Sequence, residues 1–320
     1  MEHTRWVAMA AEVLLAALLA VGLSASGSFL PVLGVFLSLL SPLPFVLLRL
    51  RHGFPALAVA LALTALALAG LSLGAQGIVF LLEFGLPAAL LAEGLRRGSR
   101  PELVVTAVAA LLTLGGMGAL VLTSEVWTQQ PLTPLRRHVE GLLTDMEALT
   151  GRFGLPGEGP FPLYGPSPRL RSFLLMGFPG LFYAGSLLTT SGYLWLVRFL
   201  APRWPNVFPG VLVEPFRWQL PEPLVWVFIA GGALYLMPLQ WVQAVGLNVL
   251  IILVGLYFLQ GLSIAVFLFQ RFHVPRALAA LSVLLLLFQP FLALLVAGLG
   301  LFDVWFAFRQ LSFPRSPRQS

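Results

Sequence analysis

Two glutamates, Glu12 and Glu83, each fall about five or six residues inside a long apolar run. In a helix that depth is ~8 Å from the end of the run. A carboxylate inside a bilayer costs a few kcal/mol unless it is paired or wetted, so both are candidate site residues. Glu83 can line a functional cavity or stay neutral against a neighbouring helix. Glu12 can extend to the membrane surface or pair with an arginine near the cytoplasmic face.

Neutral polar side chains on one long apolar stretch form a second candidate group. Residues 241–269 hold no charged side chain but include Gln243, Asn248 and Gln260. These three amides can bind a ligand, or they can join neighbouring helices, as most such side chains do in membranes. We therefore list them with Glu83 as candidate ligand-binding residues.

Small residues at helical spacing form a third group. The segment from Gly70 to Gly74 reads GLSLG, which matches both a nucleophile elbow and a close-packing motif. An elbow needs a strand before its serine, and here a membrane helix is expected, so packing is favoured. Ala16 and Ala20 show the same small-xxx-small spacing. We expect all four small residues to pack helices or to contact a partner.

The composition indicates a polytopic membrane protein. Of 320 residues, 58% are hydrophobic and 10% are charged, against about 25% charged in a soluble domain. Cysteine and lysine are both absent from the sequence, which excludes disulfides, thiolate metal sites, a Walker lysine and a Schiff base. Four scattered histidines predict no metal site, and we expect no cofactor and no enzymatic activity.

The fold expected from these patterns is all-α, a transmembrane helix bundle of about eight to nine spans. A run of 20 apolar residues spans the bilayer core. The last run is ~50 Å long as one helix, so it either tilts or breaks near Pro290 or Gly298. The apolar runs cover residues 6–23, 31–48, 54–73, 78–95, 101–123, 172–199, 224–238, 241–271 and 276–308.

Two polar segments interrupt the apolar runs. The first, residues 124–171, includes an amphipathic helix expected from Pro134 to Thr150, because apolar residues recur there every three or four positions. This helix lies on the outer surface, covers the bundle or acts as a gating lid. The second segment, residues 201–223, is rich in proline and aromatic residues, and we expect it, with Trp218, at the membrane interface.

Arginine placement predicts the orientation. Arginines cluster at helix ends rather than on one stripe, which favours contact with lipid headgroups over nucleic-acid binding. With the N-terminus in the cytoplasm, the short outside turns carry no arginine. The expected location is the cytoplasmic membrane of a bacterium.

Several segments carry a family resemblance. They are residues 214–221, 224–226, 257–263, 300–306 and Arg309, together with Asn248 and residues 40–44 and 51–53. The chain resembles the YybS-like family of uncharacterised bacterial membrane proteins, a domain-of-unknown-function family that is distantly similar to S components of energy-coupling-factor transporters. The resemblance implies one membrane domain, residues 1–320, with a six-helix core over 1–199 and additional helices over 200–320.

Asp303 has a physical reading beside this resemblance. It can pair with Arg309, or it can lie near a helix start if the final segment breaks at Gly300.

Two functions from different classes follow. The first is a solute-binding transporter component that works with an ATPase partner. The alternative is a structural or regulatory scaffold in an envelope or signalling complex, and a third reading is an intramembrane enzyme that uses Glu83. A wet cavity lined by Glu83 and the amides of residues 241–271 would favour transport, whereas amides bonded between helices would favour the scaffold. The expected partners are the lipid bilayer, a membrane protein or a small solute.

Overall fold

Helices are the only regular elements in the part of the chain that the structure describes. The computed structural model describes residues 2–29, 37, 40–72, 77, 80–123, 137, 139–141, 143–144, 168–202 and 218–306. The all-α class predicted from the sequence is therefore confirmed for these residues. The chain divides into two compact units, one of residues 1–125 and 185–215, and one of residues 126–184 and 216–320.

The first unit is built from five helices and the second half of a sixth within the described ranges. Helix α2 packs against α1, α3 and α4, and α5 packs against α4. The core between them is made largely of small side chains, including Ala16, Ala20 and Ala60, so the helices approach closely. The helices are α1 (Glu2–Phe29), α2 (Leu43–His52), α3 (Phe54–Ser72), α4 (Leu86–Arg96), α5 (Pro101–Thr123) and α6 (Pro168–Leu200).

Proline and glycine set the helix ends of this unit. A helix over 31–48 was predicted, and of that range the structure describes residues 37 and 40–48. Leu37 is helical, residues 40–42 form a turn, and α2 begins at Leu43. Helix α2 is capped by Gly53, which has a φ of +85°. Before α4, Leu81–Gly85 forms a π-helical turn in which the Leu86 N–H donates to the Leu81 carbonyl. Pro87 has no N–H for the Glu83 carbonyl, so the regular α-helical bond is not available there.

The second unit contains the first half of α6 and four further helices among the described residues. The long C-terminal apolar run breaks at Gln289, which is extended with a φ of −117°, because a residue before proline disfavours the α conformation. Of the two predicted break points, Pro290 is the one observed, and Gly298 lies inside a helix. The helices are α7 (Leu224–Tyr235), α8 (Gln240–Arg271), α9 (Arg276–Phe288) and α10 (Pro290–Phe306).

Helix α8 is the centre of the second unit. Helices α7 and α10 both pack against it. Where α8 crosses α10, a Cβ on Gly261 would overlap the Val296 carbonyl, and a Cβ on Gly300 would overlap the Tyr257 carbonyl. The two backbones are therefore in direct contact, and only glycine fits at these two positions.

Four described helices are long and apolar enough to cross a membrane. Large apolar side chains are exposed on their outer faces, such as Leu14 and Leu18 on α1, and such a surface fits lipid better than water. The predicted total of eight to nine spans stays a prediction. The candidate spans are Trp6–Ser26, Pro101–Gly118, Arg171–Leu200 and Gln240–Arg271.

The predicted amphipathic helix is described at only six positions, and its bounds lie outside the described residues. All six are helical, with Val139 and Leu143 buried and Arg137, Gly141 and Thr144 exposed. Glu140 accepts a 2.6 Å hydrogen bond from Arg171 at the start of α6. This contact ties the segment to the second unit.

Candidate functional site

A buried polar cluster lies where α8 meets α10. Gln260 of α8 and Asp303 of α10 are only 3% and 9% exposed. The Gln260 Nε2 donates to Asp303 Oδ2 at 3.1 Å. The Gly261–Gly300 crossing brings the two helices close enough for this bond. An acidic group buried in apolar helices is a site candidate by default.

The same amide also holds a non-helical segment. The Leu220 N–H donates to Gln260 Oε1 at 3.1 Å, and the Trp218 N–H donates to the Ser263 hydroxyl at 3.3 Å. Side chains of α8 thus supply the acceptors that a helix would otherwise provide. Asp303, Gln260 and the Leu220 N–H form one hydrogen-bonded chain across three elements.

A bilayer centred on α8 would enclose the Trp218–Leu220 segment. Helix α8 has 32 residues and is ~48 Å long, so it exceeds the ~30 Å hydrocarbon core. With α8 centred in the bilayer, Gln260 lies ~7 Å from the midplane and Ser263 ~11 Å. Non-helical backbone at such depth is tolerated only inside protein or beside a water-filled cavity. Trp218 is fully buried within the protein, and its place at the membrane interface stays a prediction.

Helix α7 is short and comes soon after the non-helical Trp218–Leu220 segment. It has only 12 residues, or ~18 Å, and it begins four residues after Leu220, beyond a turn at Glu222 and Pro223. Tyr257 of α8 lies beneath it, with ring centroids 6.1 Å from Phe228, and its buried hydroxyl has no hydrogen-bond partner among the described residues. Half-length helices joined to extended backbone form the binding sites of many transporters.

Asp303 was missed as a ligand candidate by sequence reasoning. It was expected to pair with Arg309, which lies outside the described residues, or to start a helix. It lies inside α10, three residues after the Gly300 contact, so it does not start a helix, and its pairing with Arg309 stays a prediction. The available signal was one carboxylate in a helix that is otherwise wholly apolar.

Asn248 has a different role, about three helical turns before Gln260 on α8. Its Nδ2 donates to the Met176 carbonyl and to the Ala244 carbonyl, each at 2.7 Å. Its Oδ1 accepts from the Gly180 N–H at 2.6 Å. In a regular helix the Gly180 N–H would bond to Met176, so the amide is inserted into the backbone ladder of α6 beside Pro179.

The remaining ligand candidates are not brought to one place by the described structure. Gln243 is half-buried near the start of α8, ~25 Å along the helix from Gln260. Its side-chain amide has no hydrogen-bond partner among the described residues. The Glu83 backbone lies in the π-helical turn, and its side chain lies outside the described residues. Ligand binding by Glu83, Gln243, Asn248 and Gln260 stays a prediction.

Several charged side chains of the first unit lie near the C-terminal ends of α2 and α4, here named the arginine end, where Glu12 and Glu93 each contact two basic side chains. Glu12 accepts from Arg51 and contacts His52, both at 2.9 Å, which matches the pairing alternative. Glu93 pairs with the buried Arg49 and, at 2.6 Å, with Arg97. The arginine end comprises Arg49, Arg51, His52, Arg96, Arg97 and Arg100.

The electrostatics of Glu93 favour its charged form. The hydrogen bond from Arg97, together with the positive charge of Arg49, holds the pKa of the Glu93 carboxyl below its ordinary value of 4.5, against the opposing effect of partial desolvation. The carboxylate is therefore ionised at neutral pH. It joins the end of α2 to the end of α4.

The small-residue candidates differ in their surroundings. Ala16 and Ala20 are buried in the first unit, at 3% and 0% exposure. Gly70 is exposed and has open space around its Cα, while Gly74 lies outside the described residues. Their role in packing or partner contact stays a prediction. Within the described residues, no group of three His, Asp or Glu side chains could hold a metal ion.

Apolar spans, exposed apolar faces and buried polar contacts together define an integral membrane protein. The chain belongs to the family described as "Predicted membrane protein (DUF2232)", whose model matches residues 16–304. That description gives a membrane protein and no activity. No curated protein and no solved structure matches the chain.

Proposed function

We propose that this protein is a solute-binding component of a transporter in the cytoplasmic membrane of a bacterium. The observation that carries the proposal is the hydrogen-bonded chain of Asp303, Gln260 and the Leu220 N–H at membrane depth. It joins a buried carboxylate to non-helical backbone beside a short helix, and such combinations are typical of substrate pathways.

The proposed site differs from the one expected from the sequence. Of the predicted amides, Gln260 belongs to it, and Asp303 and the Trp218–Leu220 segment are added. Asp303 would bind a cationic or hydrogen-bond-donating group of the solute. Tyr257, whose buried hydroxyl lies one helical turn from Gln260, would supply a further hydrogen bond.

The coupling partner in this proposal is an ATPase complex. The chain has no lysine for a phosphate-binding loop, so energy from ATP would enter through another protein. The resemblance to S components of energy-coupling-factor transporters supports this class of partner. Chemistry on the solute is not part of the proposal, which treats the protein as non-enzymatic.

A scaffold role is the second candidate, and Asn248 favours it. All three of its hydrogen bonds go to helix backbones, so this amide joins helices instead of facing a solute. A rigid unit held in this way would suit a protein that supports an envelope or signalling complex.

Purification from native membrane in a mild detergent separates the two functions. Mass spectrometry of the purified material would identify both bound proteins and bound small molecules. A solute near one copy per chain, with or without ATPase subunits, supports transport. Envelope or signalling proteins recovered with no solute would contradict transport and support the scaffold.

A further inference from the structure

The arginine end carries more positive charge than its carboxylates balance. Its five arginines are accompanied by three glutamates, Glu12, Glu93 and Glu102, which leaves a net charge of about +2 with neutral histidine. Glu12 and Glu93 are already engaged by Arg51, Arg49 and Arg97. Among the described residues, Arg96 and Arg100 have no ion-pair partner, and both are exposed.

These two arginines flank a well-defined turn. Between α4 and α5, Gly98 has a φ of +62°, and the Ser99 N–H donates to the Gly94 carbonyl at 3.0 Å. Gly94 packs so tightly on Val104 that a Cβ there would overlap the valine side chain. The backbone that carries Arg96 and Arg100 is therefore a well-defined hairpin, so no loop has to be ordered when these residues bind.

Aromatic side chains place this end at the membrane surface. Trp6 of α1 and Phe54 of α3 are 66% and 61% exposed, and aromatic rings of this kind collect at the interface between headgroups and acyl chains. Leu103, in the first turn of α5, is also exposed. Exposed arginine and exposed leucine thus lie within one turn of each other.

From this arrangement we infer that the arginine end binds the phosphate group of an anionic phospholipid, with Arg96 and Arg100 as its main contacts. A guanidinium matches two phosphate oxygens in a bidentate hydrogen bond. Leu103 would lie against the first acyl carbons, which a free phosphate ion lacks. The inference concerns the first unit and does not depend on the proposed solute site.

Native mass spectrometry of the full chain tests the inference by titration with phosphatidylglycerol or phosphatidylcholine. The variant is the double substitution Arg96→Gln/Arg100→Gln. Each basic residue near an anionic surface contributes ~1 kcal/mol, or about fivefold in affinity, so we expect the dissociation constant for phosphatidylglycerol to rise about 30-fold. The affinity for phosphatidylcholine should not change.

A matched control removes the same charge elsewhere. Arg137→Gln/Arg171→Gln takes two exposed arginines from the second unit and should leave phosphatidylglycerol binding as it is. An equal loss in this control, or no loss in the Arg96/Arg100 variant, would overturn the inference. Displacement of the lipid by millimolar inorganic phosphate would also overturn it, because the site would then recognise the free anion.

The variants must be folded for these outcomes to count, so each is compared by thermal unfolding. A second variant, Arg96→Lys/Arg100→Lys, keeps the positive charges but loses the bidentate hydrogen-bond geometry of the guanidinium groups. We expect it to bind phosphatidylglycerol with an affinity between those of the wild type and the glutamine variant. Affinity as low as in the glutamine variant would contradict a charge-based site.

Discussion

Single polar side chains in the second unit replace hydrogen bonds that the backbone cannot make for itself. Asn248 satisfies the Gly180 N–H and the Met176 carbonyl next to Pro179. Gln260 does the same for the Leu220 N–H. In lipid each such group would otherwise be left without a partner, because no water is present. Both amides therefore have a structural role, because they bind backbone groups. Only Gln260 also contacts an acidic side chain, Asp303, and only there do we propose a binding site.

Substitution of Asn248 by leucine should destabilise the protein. It leaves two backbone groups of α6 without partners, and an unsatisfied buried group costs about 1–3 kcal/mol. Thermal unfolding in detergent should show a lowered midpoint. The control is Gln243→Leu on the same helix, which has no described hydrogen bond and should shift the midpoint by much less. Equal shifts for the two variants would contradict the role assigned to Asn248.

The sequence predicted which residue types matter but not what they contact. Asn248 and Gln260 were visible as rare amides in an apolar stretch, with ligand binding and helix joining both open. Most of their partners lie 40 to 72 residues away in the sequence, and no local pattern reveals such contacts. Asp303 was visible too, but its depth depends on the unbroken course of α10 past Gly300.

Helix boundaries follow proline and glycine more closely than hydrophobicity alone. The break at Gln289 was expected, since Pro290 restricts the residue before it. The turn over residues 40–42 and the π-helical turn before α4 were missed, although Pro42, Pro44 and Pro87 were in view. The hydropathy of the sequence does not change at these positions, because the side chains stay apolar while the backbone conformation changes.

The contact between α8 and α10 depends on Gly300. Gly300→Ala would place a methyl group against the Tyr257 carbonyl, and overpacking of this kind typically costs 1–3 kcal/mol or more. We expect a lowered unfolding midpoint and a weakened Gln260–Asp303 contact. Gly298→Ala on the same helix is the control, because nothing lies within 4 Å of its Cβ position.

That control should be neutral or slightly stabilising, since alanine favours a helix over glycine by up to ~1 kcal/mol. If Gly300→Ala is tolerated as well as Gly298→Ala, the close crossing of α8 and α10 is incorrect.

For the whole molecule, composition alone established a lipid environment, and the family match and apolar helices agree with it. The division into two compact units could not be read from the sequence, because the boundary at Gly185 falls inside the continuous helix α6. Nothing in the local pattern of that helix marks a change of unit.

Orientation is a prediction at this scale. The natural chain has no cysteine. Labelling of a single introduced cysteine therefore shows on which side of the membrane that residue lies. Ser99→Cys in the α4–α5 turn should be cytoplasmic and stay unlabelled by a membrane-impermeant maleimide in intact cells. Met237→Cys, in the exposed turn after α7, should be labelled. The reverse pattern would contradict a cytoplasmic N-terminus.

The proposed solute site is tested most directly by the neutralisation of Asp303. The measurement is the amount of small molecule released per chain when purified protein is denatured and analysed by mass spectrometry. Asp303→Asn keeps the shape and the acceptor for Gln260 but removes the charge, and Glu102→Gln is the matched neutralisation in the first unit.

If the account is correct, wild type and Glu102→Gln release the same solute near one copy per chain, and Asp303→Asn releases at least tenfold less while unfolding cooperatively. A wild-type protein that carries no solute, or an Asp303→Asn variant that retains it in full, would contradict the account.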